Sequence, residues 1–171
     1  MRLPFAALTV AVLAGMSAAP VAATPMKAAF FPFELIDSGQ ISPVAAPPPA
    51  AEAARLALAG GLLKERLTGS GPYEPVDLNG AAQAIAASPA LRDCQSCADE
   101  IARGAGADIA VVGYVQKVSN LILNINIRVS NAQSGQVLAA ASADIRGNTD
   151  ETWTRGVEWL VKNRLLAKLQ P

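Results

Sequence analysis

The sequence predicts an α+β domain of two layers, in which helices on one face cover a mainly antiparallel sheet. Residues 121–129 alternate apolar with mostly polar side chains, which is the period-two pattern of a strand with one buried face. Apolar runs at 108–118 and 136–145 flank that strand at the distance of short turns, so the three together predict a C-terminal three-stranded meander. Residues 149–169 then place apolar side chains at helical spacing. Strands followed by a helix that covers them are typical of the α+β class.

The region before the meander predicts a strand, a long helix and several shorter elements. Residues 27–36 form a largely apolar strand, in which Pro32 favours an edge position or a bulge because proline has no N–H to donate. Residues 50–67 predict a helix whose leucines fall roughly on one side. The shorter elements are a strand at 73–76 and helices at 80–87 and 97–103.

The connections of the meander carry turn and capping signals. Ser119-Asn120 predicts a tight connection between the first two strands, and Gly135 suits a turn that needs positive φ before the third. Asn148 can cap the last helix, with Glu151 three residues later in the spacing of a capping box. Leu121 opens the alternating strand and is predicted to face the core.

The first residues predict a cleavable export signal. Arg2 precedes an apolar run at 3–14, and small residues end at Ala23, where a signal peptidase would cut. The run is shorter than the roughly 20 residues of a spanning helix. We therefore predict a signal at 1–23 and one periplasmic domain at 24–171, with a Pro/Ala-rich loop at 38–49 and no membrane span after cleavage.

Composition excludes several classes of function. Because the 14 basic and 14 acidic residues balance, loss of Arg2 with the signal leaves one net negative charge. Such a chain has no general attraction for nucleic acid. The absence of histidine removes the usual catalytic base and a common metal ligand. We expect no enzyme activity, no cofactor and no metal site.

The chain resembles an uncharacterised family of secreted bacterial proteins, catalogued as a domain of unknown function. The segments that carry this resemblance are FPFELID at 31–37, CQSC at 94–97, VQKVSNLIL at 115–123 and DIRGNTD at 144–150. More distantly, residues 106–113 and 132–138 are similar to the amino-terminal domain of TolB and to the curli-channel protein CsgG. The distant similarity implies an envelope α/β domain that acts through protein contacts, and it brings no catalytic residues.

Cys94 and Cys97 form the only cysteine pair. In an exported protein, a CxxC most often closes as a local disulfide, here at the start of a helix. The alternative is a redox pair, because a thiol at a helix N-terminus is more reactive. Two thiolates alone leave a zinc site half-built, and Ala98 stands where haem attachment requires histidine.

The densest polar cluster surrounds the junction between the last strand and the last helix. Its candidate binding residues are Arg146, Asn148, Asp150, Trp153 and Arg155. The two arginines could grip a carboxylate or phosphate beside the free N–H groups of the helix. In the plainer interpretation, Arg146 pairs with Asp150 and Trp153 lies in the core. Asn124 and Asn126 project from the polar face of the middle strand and could bind a partner or simply face water.

These observations lead to a hypothesis of a non-catalytic periplasmic accessory protein that binds another envelope protein through the meander face and the 146–155 corner. Two alternatives stay open, a periplasmic binder of a small anionic ligand and a thiol–disulfide redox protein that uses Cys94 and Cys97. The sequence leaves the oligomeric state open.

Overall fold

The computed structural model describes residues 24–38 and 48–169. The predicted signal at 1–23 and most of the predicted loop at 38–49 lie outside the described residues. The fold class is confirmed: the described chain forms an open mixed sheet with helices packed against it.

Six strands of the described chain make one sheet in the order β3-β1-β4-β5-β6, with β2 also paired to β4. They are β1 Met26–Phe30, β2 Glu34–Asp37, β3 Tyr73–Pro75, β4 Ile109–Lys117, β5 Ile122–Asn131 and β6 Val137–Arg146. The last three form the predicted antiparallel meander. The first three are parallel to their neighbours: β1 pairs with β3 and with the start of β4, and β2 pairs with the end of β4.

The helices follow the predicted order with shifted ends. They are α1 Ala50–Ser70, α2 Ala82–Ala87 after a 3₁₀ turn at Asn79–Ala81, α3 Gln95–Gly104, α4 Asp150–Leu160 and α5 Leu166–Leu169. A π-helical segment, Val161–Leu165, joins α4 to α5, so the long helix predicted at 149–169 is continuous in path but irregular inside.

The single strand predicted at 27–36 is two strands, and Pro32 lies in the break between them. The two phenylalanines beside it turn to opposite faces of the sheet, since Phe31 packs in one apolar cluster and Phe33 in the other. The Phe33 ring lies over Gly113 of β4, where a Cβ would come within 2.3 Å of it. The break therefore allows the strand to change faces where proline cannot donate to the ladder.

The larger core lies between the sheet and the two long helices. Trp153, Val157 and Leu160 of α4 pack with Leu63 and Leu67 of α1, and all five are buried. Gly156 allows α4 to approach the sheet closely, because a Cβ there would lie 2.7 Å from side chains of β5 and β6. We call this helix-covered side of the sheet the covered face.

The prediction that helices lie on one face needs a correction, because α3 packs on the opposite face. Ala98 and Ala102 of α3 meet Ala110 and Val112 of β4 in a second, smaller cluster. Alternate residues of β4 thus enter different cores, since Val111 belongs to the first. An almost wholly apolar strand is what burial on both faces requires.

Candidate functional site

The carboxyl end of β4 carries the densest charge cluster on the covered face. Lys117 Nζ lies 2.8 Å from Glu52 Oε1 and 3.2 Å from Asp37 Oδ2. Glu52 is buried in the first turn of α1, and the side chains of Lys117 and Asp37 are 13% and 14% exposed. The parallel strands β2 and β4 end side by side, which is why Asp37 and Lys117 meet.

Asn148 joins this cluster to the start of α4. Its Nδ2 donates to Glu52 Oε1 at 3.0 Å, and its Oδ1 accepts from Trp153 Nε1 at 3.0 Å and from Arg55 at 3.3 Å. Arg55 Nε in turn donates to Asp150 Oδ1 at 2.8 Å. We call Asp37, Glu52, Arg55, Lys117 and Asn148 the interior network.

The interior network explains why Asn148 does not cap the last helix as predicted. Its amide is already bonded to side chains far away in sequence, and the cap is Thr149. Thr149 Oγ1 accepts from the Thr152 N–H at 3.3 Å, while Thr152 Oγ1 accepts from the Thr149 N–H at 3.2 Å. The capping box predicted for this helix start is present, shifted by one residue from the predicted pair.

The ion pair holds both of its groups charged. The hydrogen bond from Lys117 lowers the pKa of Glu52 below its usual value of 4.5, against the opposing effect of burial. The same bond raises the pKa of Lys117 above its usual value of 10.5. Each carboxylate and cation in the network thus neutralises another, which favours a structural role over proton transfer.

The other residues predicted for the 146–155 corner separate into different environments. Trp153 is fully buried, and Asp150 pairs with Arg55 rather than with Arg146. Arg155 is exposed and pairs with Glu151 one helical turn earlier. Arg146 and Arg155 line the same groove, about 540 Å³ in volume, between β6 and α4, together with Asp144 and Trp159.

The other face of the same sheet end is not covered by a helix of the described chain. Asn126 Nδ2 donates to Asn124 Oδ1 at 2.6 Å, and Asn124 Nδ2 donates to Asp144 Oδ1 at 2.8 Å. Further along β5, Arg128 donates to the carbonyls of Leu91 and Arg92. From this point on, the segment that leads into α3 covers this face of the sheet. We call the uncovered surface, together with the exposed hairpin tip that adjoins it, the open face; its strand residues are Gln116, Ile122, Asn124, Asn126, Ser142, Asp144 and Arg146, and the tip adds Val118 and Leu121.

Sequence reasoning missed an apolar cluster at the tip of the β4–β5 hairpin. Val118, Leu121 and Ile122 are 52%, 72% and 44% exposed. Leu121 was predicted to face the core, but it is exposed at the hairpin tip, just before β5 begins. The sequence does contain a signal for this cluster. Three of the five residues at 118–122 are large and aliphatic, and the other two form the predicted Ser119-Asn120 turn, which lies at the surface.

Cys94 and Cys97 form the predicted disulfide. Cys94 is the N-cap of α3, and both cysteines are partly buried. The bond therefore braces the entry to the helix that covers the second core.

Among residues 24–38 and 48–169, no cluster of three or more Cys, Asp or Glu side chains could hold a metal ion. No helix in these same segments combines the length and apolar character needed to cross a bilayer.

Comparison with solved structures shows the fold in bacterial proteins of low sequence identity. The C-terminal domain of LpoB from Salmonella enterica is 17% identical with a TM-score of 0.50, covering 74% of this chain and 86% of that domain. A PelC dodecamer from Paraburkholderia phytofirmans is 13% identical with a TM-score of 0.50, covering 91% of this chain and 96% of the PelC chain. TolB from Acinetobacter baumannii, to which the sequence shows a distant resemblance, also matches, at 11% identity and a TM-score of 0.44 over 83% of this chain and 29% of that one.

No curated protein matches the sequence. A family model does: DUF3280, described as a protein of unknown function (DUF2380), matches residues 26–165, which span the whole sheet and most of the helices. The resemblance to an uncharacterised family is thereby confirmed, and the chain belongs to the DUF3280 family.

Proposed function

We propose that this protein is a non-catalytic periplasmic accessory protein that binds another envelope protein through the open face. The observation that carries the proposal is the apolar cluster of Val118, Leu121 and Ile122 beside a row of fixed polar side chains. Protein interfaces commonly combine an apolar centre with a polar rim. Three exposed aliphatic side chains within one hairpin tip mark such a centre more strongly than scattered ones do.

The polar part of the open face is ordered before any partner arrives. The hydrogen bonds from Asn126 to Asn124 and from Asn124 to Asp144 fix three side chains along a row that crosses β5 and β6. Because these side chains are already held, a partner that bonds to them loses less conformational entropy than it would on a mobile surface.

The charged groups of the covered face support a role without catalysis. Glu52, Lys117 and Asp37 satisfy one another, and Arg55 is bonded to Asp150 and Asn148. A catalytic acid or base needs access to a substrate, whereas Glu52 is buried in the first turn of α1. The predicted export signal supports the periplasmic setting.

Site-specific photo-cross-linking in cells tests the proposal. A photoreactive residue at position 121 is compared with the same residue at position 58, because Leu58 is also an exposed leucine but lies on α1. We expect one discrete adduct with an envelope protein from position 121 and none from position 58. Equal labelling at both positions, or none at either with the protein folded, would reject the open face as a binding surface.

A binder of a small anionic ligand is the second candidate, because Arg146 and Arg155 line one groove. Asp144 in the same groove and the Glu151 partner of Arg155 both oppose an anion there. Calorimetric titration with citrate and with inorganic phosphate, on the wild type and on Arg146→Gln, tests this candidate. Heat that is lost in the variant would favour it over protein binding.

A further inference from the structure

We propose that two copies of this chain pair through the free edge of β6, in an antiparallel register that places Asp144 of one copy opposite Arg146 of the second copy. Such pairing would extend the sheet across a two-fold axis. It goes beyond the proposed function, because it concerns the edge of the sheet and the flank of α4 rather than the apolar cluster of the open face.

The backbone of β6 offers hydrogen-bonding groups along its outer side. β6 is the last strand in the sheet order of the described chain. The Gly147 N–H donates to the Leu121 carbonyl at 3.2 Å, which marks these residues as a hydrogen-bonded pair. Because such pairs alternate with non-bonded ones in an antiparallel ladder, the N–H and C=O groups of Arg146, Asp144 and Ser142 point away from β5.

Ala140, the next residue of β6 whose backbone groups should point outward, confirms this direction and limits the length of the free edge. The carbonyl of Ala140 accepts a hydrogen bond from Lys168 Nζ of α5 at 2.9 Å. A bond from outside the sheet shows that this carbonyl does point outward. Lys168 also covers that part of the strand, so residues 142–146 are the stretch left for another strand.

The charges on residues 142–146 favour a second copy of this chain as the strand that pairs with β6. Charged side chains on an edge strand ordinarily discourage pairing with other strands. Here the order is Asp144, Ile145, Arg146, which is complementary to itself when it is read in the opposite direction. An antiparallel second copy then forms two Asp144–Arg146 cross-strand pairs, whereas a register shifted to centre on Asp144 would set two aspartates against each other.

The flank of α4 supplies the apolar area that a strand edge alone lacks. Thr152, Arg155 and Trp159 recur at helical spacing along the groove beside β6. Trp159 is 45% exposed, and Arg164 stacks on its ring at 5.3 Å. A two-fold axis through the β6 edge would place the two α4 flanks side by side and would cover both tryptophans. Stable interfaces bury about 800 Å² on each partner, which calls for this helix contact as well as the strand pairing.

Charge reversal tests the register with the exported chain purified from the periplasm. Sedimentation equilibrium should show a dimer, and Asp144→Arg or Arg146→Asp alone should weaken it at least about tenfold, because each sets like charges opposite one another. The double variant Asp144→Arg/Arg146→Asp restores both cross-strand pairs and should return the wild-type dissociation constant. A wild-type monomer, or a double variant as weak as the single ones, would overturn the proposal.

A backbone substitution separates strand pairing from a side-chain contact. Asp144→Pro and Asp144→Asn both remove the charge, but only the first removes the outward N–H, which edge strands tolerate. We expect the proline variant to be monomeric and the asparagine variant to dimerise more weakly than the wild type. Equal dimerisation of the two folded variants would overturn the pairing. The proposed function is tested by the adduct from position 121 of the wild type in cells, and the pairing is tested by sedimentation of the purified chain alone, so failure of one and failure of the other are distinguishable.

Discussion

Lys117 and Gln116 are neighbours at the end of β4, and their side chains enter opposite environments. Lys117 turns to the covered face, where it pairs with the carboxylates of Asp37 and Glu52 within the interior network. Gln116 turns to the open face and is exposed beside Asn124. One strand end thus supports the fold on one side and leaves a surface free on the other.

The contrast shows which polar groups can be assigned to stability and which to recognition. On the covered face, residues separated by as many as 96 positions in sequence close the domain through charge-assisted bonds. On the open face, the hydrogen bonds join neighbouring strands that the backbone already holds together. Substitutions on the covered face should therefore mainly lower the free energy of unfolding, and substitutions on the open face should mainly weaken partner binding.

The largest expected effect comes from Lys117→Met. Removing the cation takes away the positive charge that both Glu52 and Asp37 contact, which should lower the free energy of unfolding by about 3 kcal/mol. Urea unfolding at neutral pH measures the change. The control is Gln116→Met on the open face, where we expect a change within about 0.5 kcal/mol. Similar losses for both variants would remove the distinction between the two faces.

A smaller effect is expected where α4 meets the sheet. Gly156→Ala would place a Cβ 2.7 Å from the side chains of Ile125 and Ile145, so α4 must shift, and we expect a loss of about 2 kcal/mol. The matched control is Gly61→Ala in α1, where nothing lies within 4 Å of the added Cβ. That variant should gain about 0.5 to 1 kcal/mol from helix propensity. Thermal unfolding of both variants measures the two changes in stability, and we expect a loss for Gly156→Ala and a gain for Gly61→Ala.

The acid dependence of stability should also report on the covered face. Because the folded-state pKa of Glu52 is lowered, its contribution is complete above the unfolded value of 4.5 and is lost as the pH falls through the lower folded value. The difference in unfolding free energy between wild type and Glu52→Gln should therefore shrink from pH 7 towards pH 3. A difference that stays constant over this range would mean that the charge of Glu52 does not stabilise the fold.

At alkaline pH the stability depends on pH in the opposite direction, because the folded-state pKa of Lys117 is raised. Its contribution is complete below 10.5 and is lost as the pH rises through the higher folded value. The same variant pair thus has a broad range near neutrality in which the ion pair contributes fully.

The sequence predicted the parts of the fold that local pattern determines. Residues 121–129 alternate with period two, so the middle strand and its partners could be placed without knowing any distant contact. The parallel pairing of β1 and β2 with β4 joins segments about 80 residues apart and leaves no local sign, so the first strand was predicted as one piece. Pro32 marked the irregularity but could not show that the chain changes faces there.

The sequence drew attention to the polar residues around the start of the last helix but gave some of them contacts that they do not make. Asn148 was expected to cap a helix, because a sequence shows its neighbours and not Glu52, to which its amide is bonded. Leu121 was expected in the core, because alternation cannot show where a strand starts. Both errors arise where a turn or a distant partner decides the position of a side chain.

The smallest effect on stability is expected from Leu121→Ser, and this prediction tests the comparison most directly. Leu121 is 72% exposed, so its replacement should change the free energy of unfolding by no more than about 0.5 kcal/mol. We expect the same change to remove the adduct formed from a photoreactive residue at position 118, while Leu58→Ser leaves that adduct unchanged. Urea unfolding and cross-linking yield measure the two quantities on the same proteins. Loss of stability without loss of the adduct would mean that Leu121 stabilises the fold and does not bind the partner. Loss of the adduct alone would show that this exposed leucine acts in recognition, since it contributes so little to the core.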